Sequence, residues 1–135
     1  MTLTLRPATL DDAEILFAWR CDPDAARNSF GPVPTLADHM AWLTATLADP
    51  RRAQMIAEHN GVPVGTVRLD QHFAETELSL TVAPGLRGQG YGTAMIRAAS
   101  CRGRMLARVR GDNVGSLLAF LKAGWRVRGP VVMVR

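Results

Sequence analysis

With 135 residues, 47% of them apolar, and a net charge of +4, the chain suffices for one domain with a real core and is too short for two. It has no low-complexity run, repeat or Pro/Ser-rich linker, and no apolar stretch approaches bilayer-spanning length. The arginines are scattered, the first residues lack an apolar leader, and Cys21 and Cys101 show no metal-ligand spacing, so the expectation is a cytoplasmic protein with reduced thiols and with no nucleic acid, membrane or metal as partner.

Leu3 and Leu5 alternate with polar neighbours and predict a short strand over residues 2–6. Thr9-Leu10-Asp11-Asp12 has the form of a capping box and opens a helix to Arg20, closed by Cys21-Asp22-Pro23. A basic and polar segment with Arg27, Asn28 and Ser29 follows, ends in Gly31-Pro32-Val33-Pro34 and reads as loop. Thr35 caps a second helix, which Asp49-Pro50 stops. Leu36, Met40, Leu43 and Leu47 form its expected buried stripe, flanked by His39 and Trp42. Strands over 53–58 and 62–70 are joined through His59-Asn60-Gly61, a strong hairpin signal, and 73–76 turn the chain into the next strand.

In that strand Leu78, Leu80 and Val82 alternate with Glu77, Ser79 and Thr81, so one face is buried; Ala83-Pro84 ends it. Gly88, Gly90 and Gly92 come next, directly ahead of a helix that contains T-A-M-I-R-A-A. Glycines in such positions cost roughly 2 kcal/mol in total relative to alanine, and the usual reason is that something approaches the backbone closely. Free N–H groups and the positive dipole end of a helix N-terminus favour an anion, above all phosphate, so the stretch reads as a pyrophosphate cradle. A Walker loop is excluded because the only lysine is Lys122. The dinucleotide pattern G-x-G-x-x-G fails in both registers, at Thr93 and at Met95, although Asp112 lies where a ribose-binding acid would and keeps that reading open.

Arg102-Gly103 breaks the helix, and 105–110 return as a strand parallel to the previous one, because a helix crosses between them. Asn113 caps a helix over 114–123, Gly124 takes the left-handed position after it, and Trp125 takes the apolar position beyond. Residues 127–134, broken at Gly129-Pro130, make a terminal hairpin. The predicted order is β-α-α-β-β-β-α-β-α-β(-β), an α/β (α+β) chain with a mixed central sheet.

Arg87-x-x-Gly90-x-Gly92, after a strand ending in Val-x-Pro, resembles the Gln/Arg-x-x-Gly-x-Gly/Ala signature of the GNAT superfamily of acetyl-CoA-dependent N-acetyltransferases. The element order is similar to that fold along essentially the whole chain. Asn113, Ser116, Phe120, Gly124 and Trp125 fall where GNAT sequences carry Asn, Ala/Ser, Tyr, Gly and Phe. The resemblance implies one N-acetyltransferase domain over residues 1–135, in which the central strand and the 105–110 strand splay apart around acetyl-CoA. Leu80, Thr81 and Val82 would pair with its pantetheine through their backbone, and Arg87, Gly88, Gly90, Gly92 and Thr93 would hold its pyrophosphate. Asn113 and Phe120 would line the cofactor as well, although helix capping by itself accounts for Asn113.

Acetylation of an amine requires a polarised thioester, an aligned amine and a base. The resemblance implies a carboxylate on the central strand as base. Glu77 is the choice, with Glu75 and Asp70 as competitors and a salt-bridged strand-end glutamate as the plainer reading. Phe120 departs from the family, because the tyrosine often found there donates a proton to the leaving thiolate and phenylalanine has none to give. The segments W-R-C-D-P (19–23) and H-x-x-W-L (39–43) resemble acetyltransferases acting on nucleotide-linked amino sugars in the pseudaminic-acid pathway, and are similar also to ribosomal-protein N-terminal acetyltransferases. Arg20, Arg27, His39 and Arg68 are the candidate acceptor-binding residues. The expected activity is acetyl transfer by direct attack of a primary amine, on an amino sugar or similar small amine, in a monomer or homodimer. Peptide N-terminal acetylation and non-catalytic acyl-CoA binding are the alternatives.

Overall fold

The computed structural model describes residues 2–135. Strands β1 (Thr4–Pro7), β2 (Arg52–His59), β3 (Val62–His72) and β4 (Glu75–Val82) pair antiparallel in sequence order. β5 (Arg104–Arg108) adds parallel to β4, as a helical crossover requires, and β7 (Val132–Val134) inserts between β5 and β6 (Arg126–Gly129). The described residues thus form one mixed sheet ordered β1-β2-β3-β4-β5-β7-β6. The β2–β3 turn places Asn60 and Gly61 at φ of 52° and 76°, the paired left-handed conformation of a tight hairpin that few other dipeptides accept.

Register sorts the side chains into two faces. Met55, Val67, Leu78 and Leu80 point to the main core, where Met95 and Ile96 of α4 (Tyr91–Ala99) and Phe120 of α5 (Val114–Lys122) meet them. Cross-strand rows on the other face are polar: Gln54–Arg68–Ser79, Arg52–Asp70–Glu77 and Thr66–Thr81. Helices α1 (Ala13–Cys21) and α3 (Leu36–Ala48) cover part of that polar face through a second core of Leu16, Trp19, Leu43 and Ile56. A row of polar side chains therefore lies under a partial roof, which makes a cleft.

Local chemistry fixes the element ends. Thr9 and Asp12 cap each other's backbone in a 3-10 turn over Leu10–Asp12, and Asp12 is also gripped by both terminal nitrogens of Arg6, at 2.9 and 2.8 Å. That grip holds the Asp12 carboxyl below its ordinary range despite its burial. At the end of α5, Trp125 N–H bonds to the Phe120 carbonyl and Gly124 N–H to that of Leu121, while Gly124 sits at φ 92°. This is a Schellman ending, and its apolar contact is the Phe120 ring edge-on to Trp125, with centroids 4.8 Å apart.

Two expectations need correction. Pro23 does not simply end α1; Asp22 caps a short helix α2 (Pro23–Arg27) through Ala25 N–H at 3.2 Å, with proline in the first helical position, where its missing N–H costs nothing. The buried stripe of α3 is His39, Leu43 and Thr46, while Leu36 is 54% exposed and Met40 and Leu47 pack only partly. Both stripes have i, i+4, i+7 spacing, so periodicity alone does not choose between them. The aromatic neighbours Phe17 and Trp42 draw His39 inward.

Gly65 marks the tightest packing between sheet and α4: a Cβ there would stand 2.5 Å from the Thr81 carbonyl oxygen and 2.8 Å from Met95 Cε. Gly65→Ala is expected to lower stability by about 1–3 kcal/mol in urea unfolding. Gly115→Ala in α5, whose Cβ would meet nothing within 4 Å, is expected to gain roughly 0.5–1 kcal/mol. Equal midpoints for the two variants would contradict this packing.

Candidate active site

The site begins where two strands part. β4 and β5 pair only at Glu75–Arg104, Thr76–Met105 and Glu77–Leu106. Beyond Glu77, β5 stays with β7 while β4 runs on to Val82, so the β4 edge over 78–82 has no strand on that side. Leu80, Thr81 and Val82 lie on this open edge, and Glu77 stands at the fork.

The glycine stretch lies at the far end of the same opening. Gly88 and Gly90 have φ of 77° and 89°, conformations that a side chain would strain. A Cβ on Gly88 would point into open space. Gly90 begins α4 without a side-chain cap, and among the described residues the N–H groups of Arg87, Gly88, Gly90 and the first turn of α4 donate no hydrogen bond. Here a row of amides and a positive helix end converge on a groove of about 350 Å³, lined by Thr81, Val82, Gly88, Gly92, Thr93 and Lys122 among others. Arg87 lines it too, but its Nη1 is already bonded to Asp22 at 3.0 Å and Asp24 at 3.3 Å, tying the nest to α2. Asn113 Oδ1 caps α5 through Ser116 N–H at 3.3 Å, and the residue borders the groove. Asp112, which kept a dinucleotide reading open, pairs with Arg110 in an exposed turn.

The groove runs into a larger cavity of about 510 Å³ over the polar face, and the two share Asn28, Ser29, Leu80, Thr81, Asn113 and Ser116 as lining. Arg20, His39, Arg68, Glu77 and Phe120 come together here. Arg27 does not: it pairs with Asp24 one turn back on α2 and lies outside the lining of both spaces. Arg20 holds the loop wall through the Pro32 carbonyl at 2.9 Å, leaving its Nη1 buried and unpartnered. Arg68 is bonded to Asp70 at 2.9 Å and lies 5.4 Å over the Trp42 ring. Asp70 is buried between Arg68 and Arg52, and Glu75 faces Arg128 at 3.9 Å, so both competitors of Glu77 are held by arginines. Glu77 itself bonds Arg108 Nε at 3.0 Å through one oxygen and His72 Nε2 at 3.2 Å through the other. Phe120 is fully buried at the cavity floor, serving the end of α5 and offering no proton.

Several lining residues carried little signal in the sequence. Gln54, Thr66 and Ser79 are single polar positions within strands, and only the register shows that they share a face. Arg108 belongs to a run of arginines that spans the interior strand β5 and its flanks. Lys122 is the last residue of a helix, where a cation also suits the dipole.

Residues 2–126 match the model of the acetyltransferase (GNAT) domain family. The chain belongs to this family. None of the curated proteins matches it in sequence. Among solved structures, the aminoglycoside acetyltransferase AAC(6')-Ib in complex with ribostamycin and coenzyme A is similar at a TM-score of 0.87 and 23% identity, covering 100% of this chain and 93% of its own. Spermidine N-acetyltransferase from Vibrio cholerae, in complex with CoA and spermine, is similar at 0.84 and 16%, covering 94% and 82%. A GNAT-family acetyltransferase from Bacillus anthracis is similar at 0.84 and 17%, covering 100% and 95%. At these identities the likeness is one of fold. No helix of this GNAT domain is long and apolar enough to cross a membrane among the described residues.

Burial holds the His39 imidazole below its ordinary value of 6.5, with the Arg20 charge adding to the effect and the Ala13 backbone partly opposing it. The unfolded chain therefore takes up a proton near 6.5 that the folded GNAT domain refuses, and stability is lost as pH falls below that value. The melting temperature is expected to drop between pH 7 and 5, and His39→Gln to flatten that slope. Parallel slopes for the two proteins would show that His39 is not the group responsible.

Proposed function

We propose that this GNAT domain transfers the acetyl group of acetyl-CoA to the primary amine of an anionic small molecule, a nucleotide-linked amino sugar. The observation that carries the acceptor class is the charge of the larger cavity: Arg20, Arg68 and Arg108 line it against Asp38 and Glu77, and Arg20 Nη1 has no partner. Ribostamycin and spermine, the ligands of two structural relatives, are polyamines, and a surplus of arginine disfavours such cations. A phosphate-bearing sugar supplies the charge that Arg20 lacks.

The residues present fit the donor. The unpaired edge of Leu80, Thr81 and Val82 offers backbone groups to the amides of the pantetheine arm. The free N–H groups of Gly88, Gly90, Gly92 and Thr93 suit its diphosphate, with Lys122 and Arg87 alongside. Acetyl-CoA supplies an activated thioester whose thiol has a pKa of about 8.5, so its departure tolerates the absence of a hydroxyl at Phe120. Asn113 borders the passage between groove and cavity, and Phe120 lines the cavity. Glu77, at the fork, accepts the proton of the attacking amine. His72, bonded to the same carboxylate and 56% exposed, offers that proton a way to solvent.

Thiol release from acetyl-CoA, followed over nucleotide-linked amino sugars, free amino sugars, acidic peptides, spermidine and kanamycin, tests the acceptor class. Turnover on the nucleotide-linked sugars is expected to exceed that on polyamines. Turnover confined to peptides would replace this reading with N-terminal acetylation, and CoA binding without any active acceptor would favour a non-catalytic module. Glu77→Gln is expected to cut kcat by about tenfold or more with CoA affinity unchanged; full activity would remove Glu77 from the mechanism.

A further inference from the structure

Among the described residues, four buried side-chain polar atoms lack a hydrogen-bond partner, and three of them line the larger cavity: Gln54 Oε1, His39 Nε2 and Arg20 Nη1. Leaving one such atom unpaired costs about 1–3 kcal/mol, so three lining one cavity point to partners supplied from outside the chain.

The hydrogen-bond pattern fixes what Gln54 offers. Thr66 Oγ1 lies 2.8 Å from the Met55 carbonyl, which only accepts, so the hydroxyl proton is committed there. Thr66 can then only accept from Gln54, 2.6 Å away, which sets the amide with Nε2 toward Thr66 and Oε1 free. His39 is 3% exposed, and burial favours its neutral form. Its Nε2 has no partner, and in the neutral ring this nitrogen donates or accepts according to the tautomer, so a hydroxyl matches it in either state. A run of side chains links the two atoms: Gln54 pairs across the strands with Arg68, Arg68 lies over Trp42, and Trp42 leans on His39 at 5.7 Å.

We propose that Gln54 Oε1 and His39 Nε2 form a subsite that hydrogen-bonds hydroxyl groups flanking the acceptor's amine, so that the acceptor is a polyhydroxylated, sugar-like amine. Hydroxyls donate to Gln54 Oε1 and pair with either tautomer of His39 without bringing positive charge beside Arg20 and Arg68, which ammonium groups cannot do. Trp19, Phe30 and Trp42 give apolar surface to the C–H faces of a ring. This deepens the acceptor assignment above and rests on the same cavity being the acceptor site, but it turns on hydroxyls where that assignment turns on the anion.

The experiment uses CoA-bound protein and 15N spectra of its histidines, titrated with glucosamine, 4-amino-4-deoxyglucose, glucosamine 1-phosphate and cyclohexylamine. The His39 Nε2 resonance is expected to move with at least one amino sugar and to stay in place with cyclohexylamine. Gln54→Met is expected to weaken the responding sugar about tenfold, the usual loss for one hydrogen bond to a neutral group, and Gln54→Glu, which keeps an acceptor oxygen, to weaken it less. Melting temperatures of both variants separate a binding loss from a folding loss. An Nε2 that moves with none of the sugars, or equally with cyclohexylamine, overturns the subsite. Equal affinities for glucosamine and its 1-phosphate would sink the anionic acceptor while leaving the hydroxyl subsite standing.

Discussion

Everything distinctive about this molecule depends on two parallel strands that stop pairing too early. β4 and β5 share three residue pairs and then diverge, because β5 keeps its other partner, β7, while β4 continues to Val82. Backbone groups denied a partner in a sheet are costly unless water or a ligand reaches them. Here they border open space that continues into the uncapped amides ahead of α4. The divergence thus makes a groove rich in free main-chain groups, with few side chains in the way. Glycine at 88 and 90 keeps it so, and the family match puts the groove in an acetyltransferase domain.

The period-two alternation of the strands does double duty. Its apolar half builds the core under α4 and α5, and its polar half, in cross-strand rows, becomes the floor of the cavity. Core and site are therefore opposite faces of the same strands. A one-residue slip in β3 would bring Arg68 into the core and Val67 into the cavity. The hairpin turn at Asn60-Gly61 and the close fit at Gly65 guard against that slip. Phe120 shows the same economy: it faces the cavity, yet its ring is needed against Trp125 to end α5.

Features governed by local backbone chemistry were legible in the sequence. Asn60-Gly61, Gly124-Trp125, the Thr9/Asp12 box and the glycines before α4 each announce a conformation that few residues adopt. Features governed by choice among equivalent faces were not. The α3 stripe is turned so that His39 is buried and Leu36 is not, and nothing in helical spacing distinguishes the two. Pro23 reads equally as a stop and as a first helical residue. Arg87 is legible as a nest residue but not as the partner of Asp22 and Asp24, a contact between residues more than sixty positions apart. Gln54 carries no signal at all, because its meaning comes from Thr66 across the strand and from the proton that Thr66 has already given to Met55.

The most direct test of the fork and its amides is a pair of titrations followed by backbone amide shifts. CoA carries a pantetheine arm and a diphosphate, whereas pantetheine carries the arm alone. CoA is expected to move the amides of 78–82 and of 87–93, and pantetheine those of 78–82 only. If CoA leaves 87–93 unmoved, or if pantetheine shifts them as much, the amides ahead of α4 do not hold the diphosphate and the account is wrong at its base.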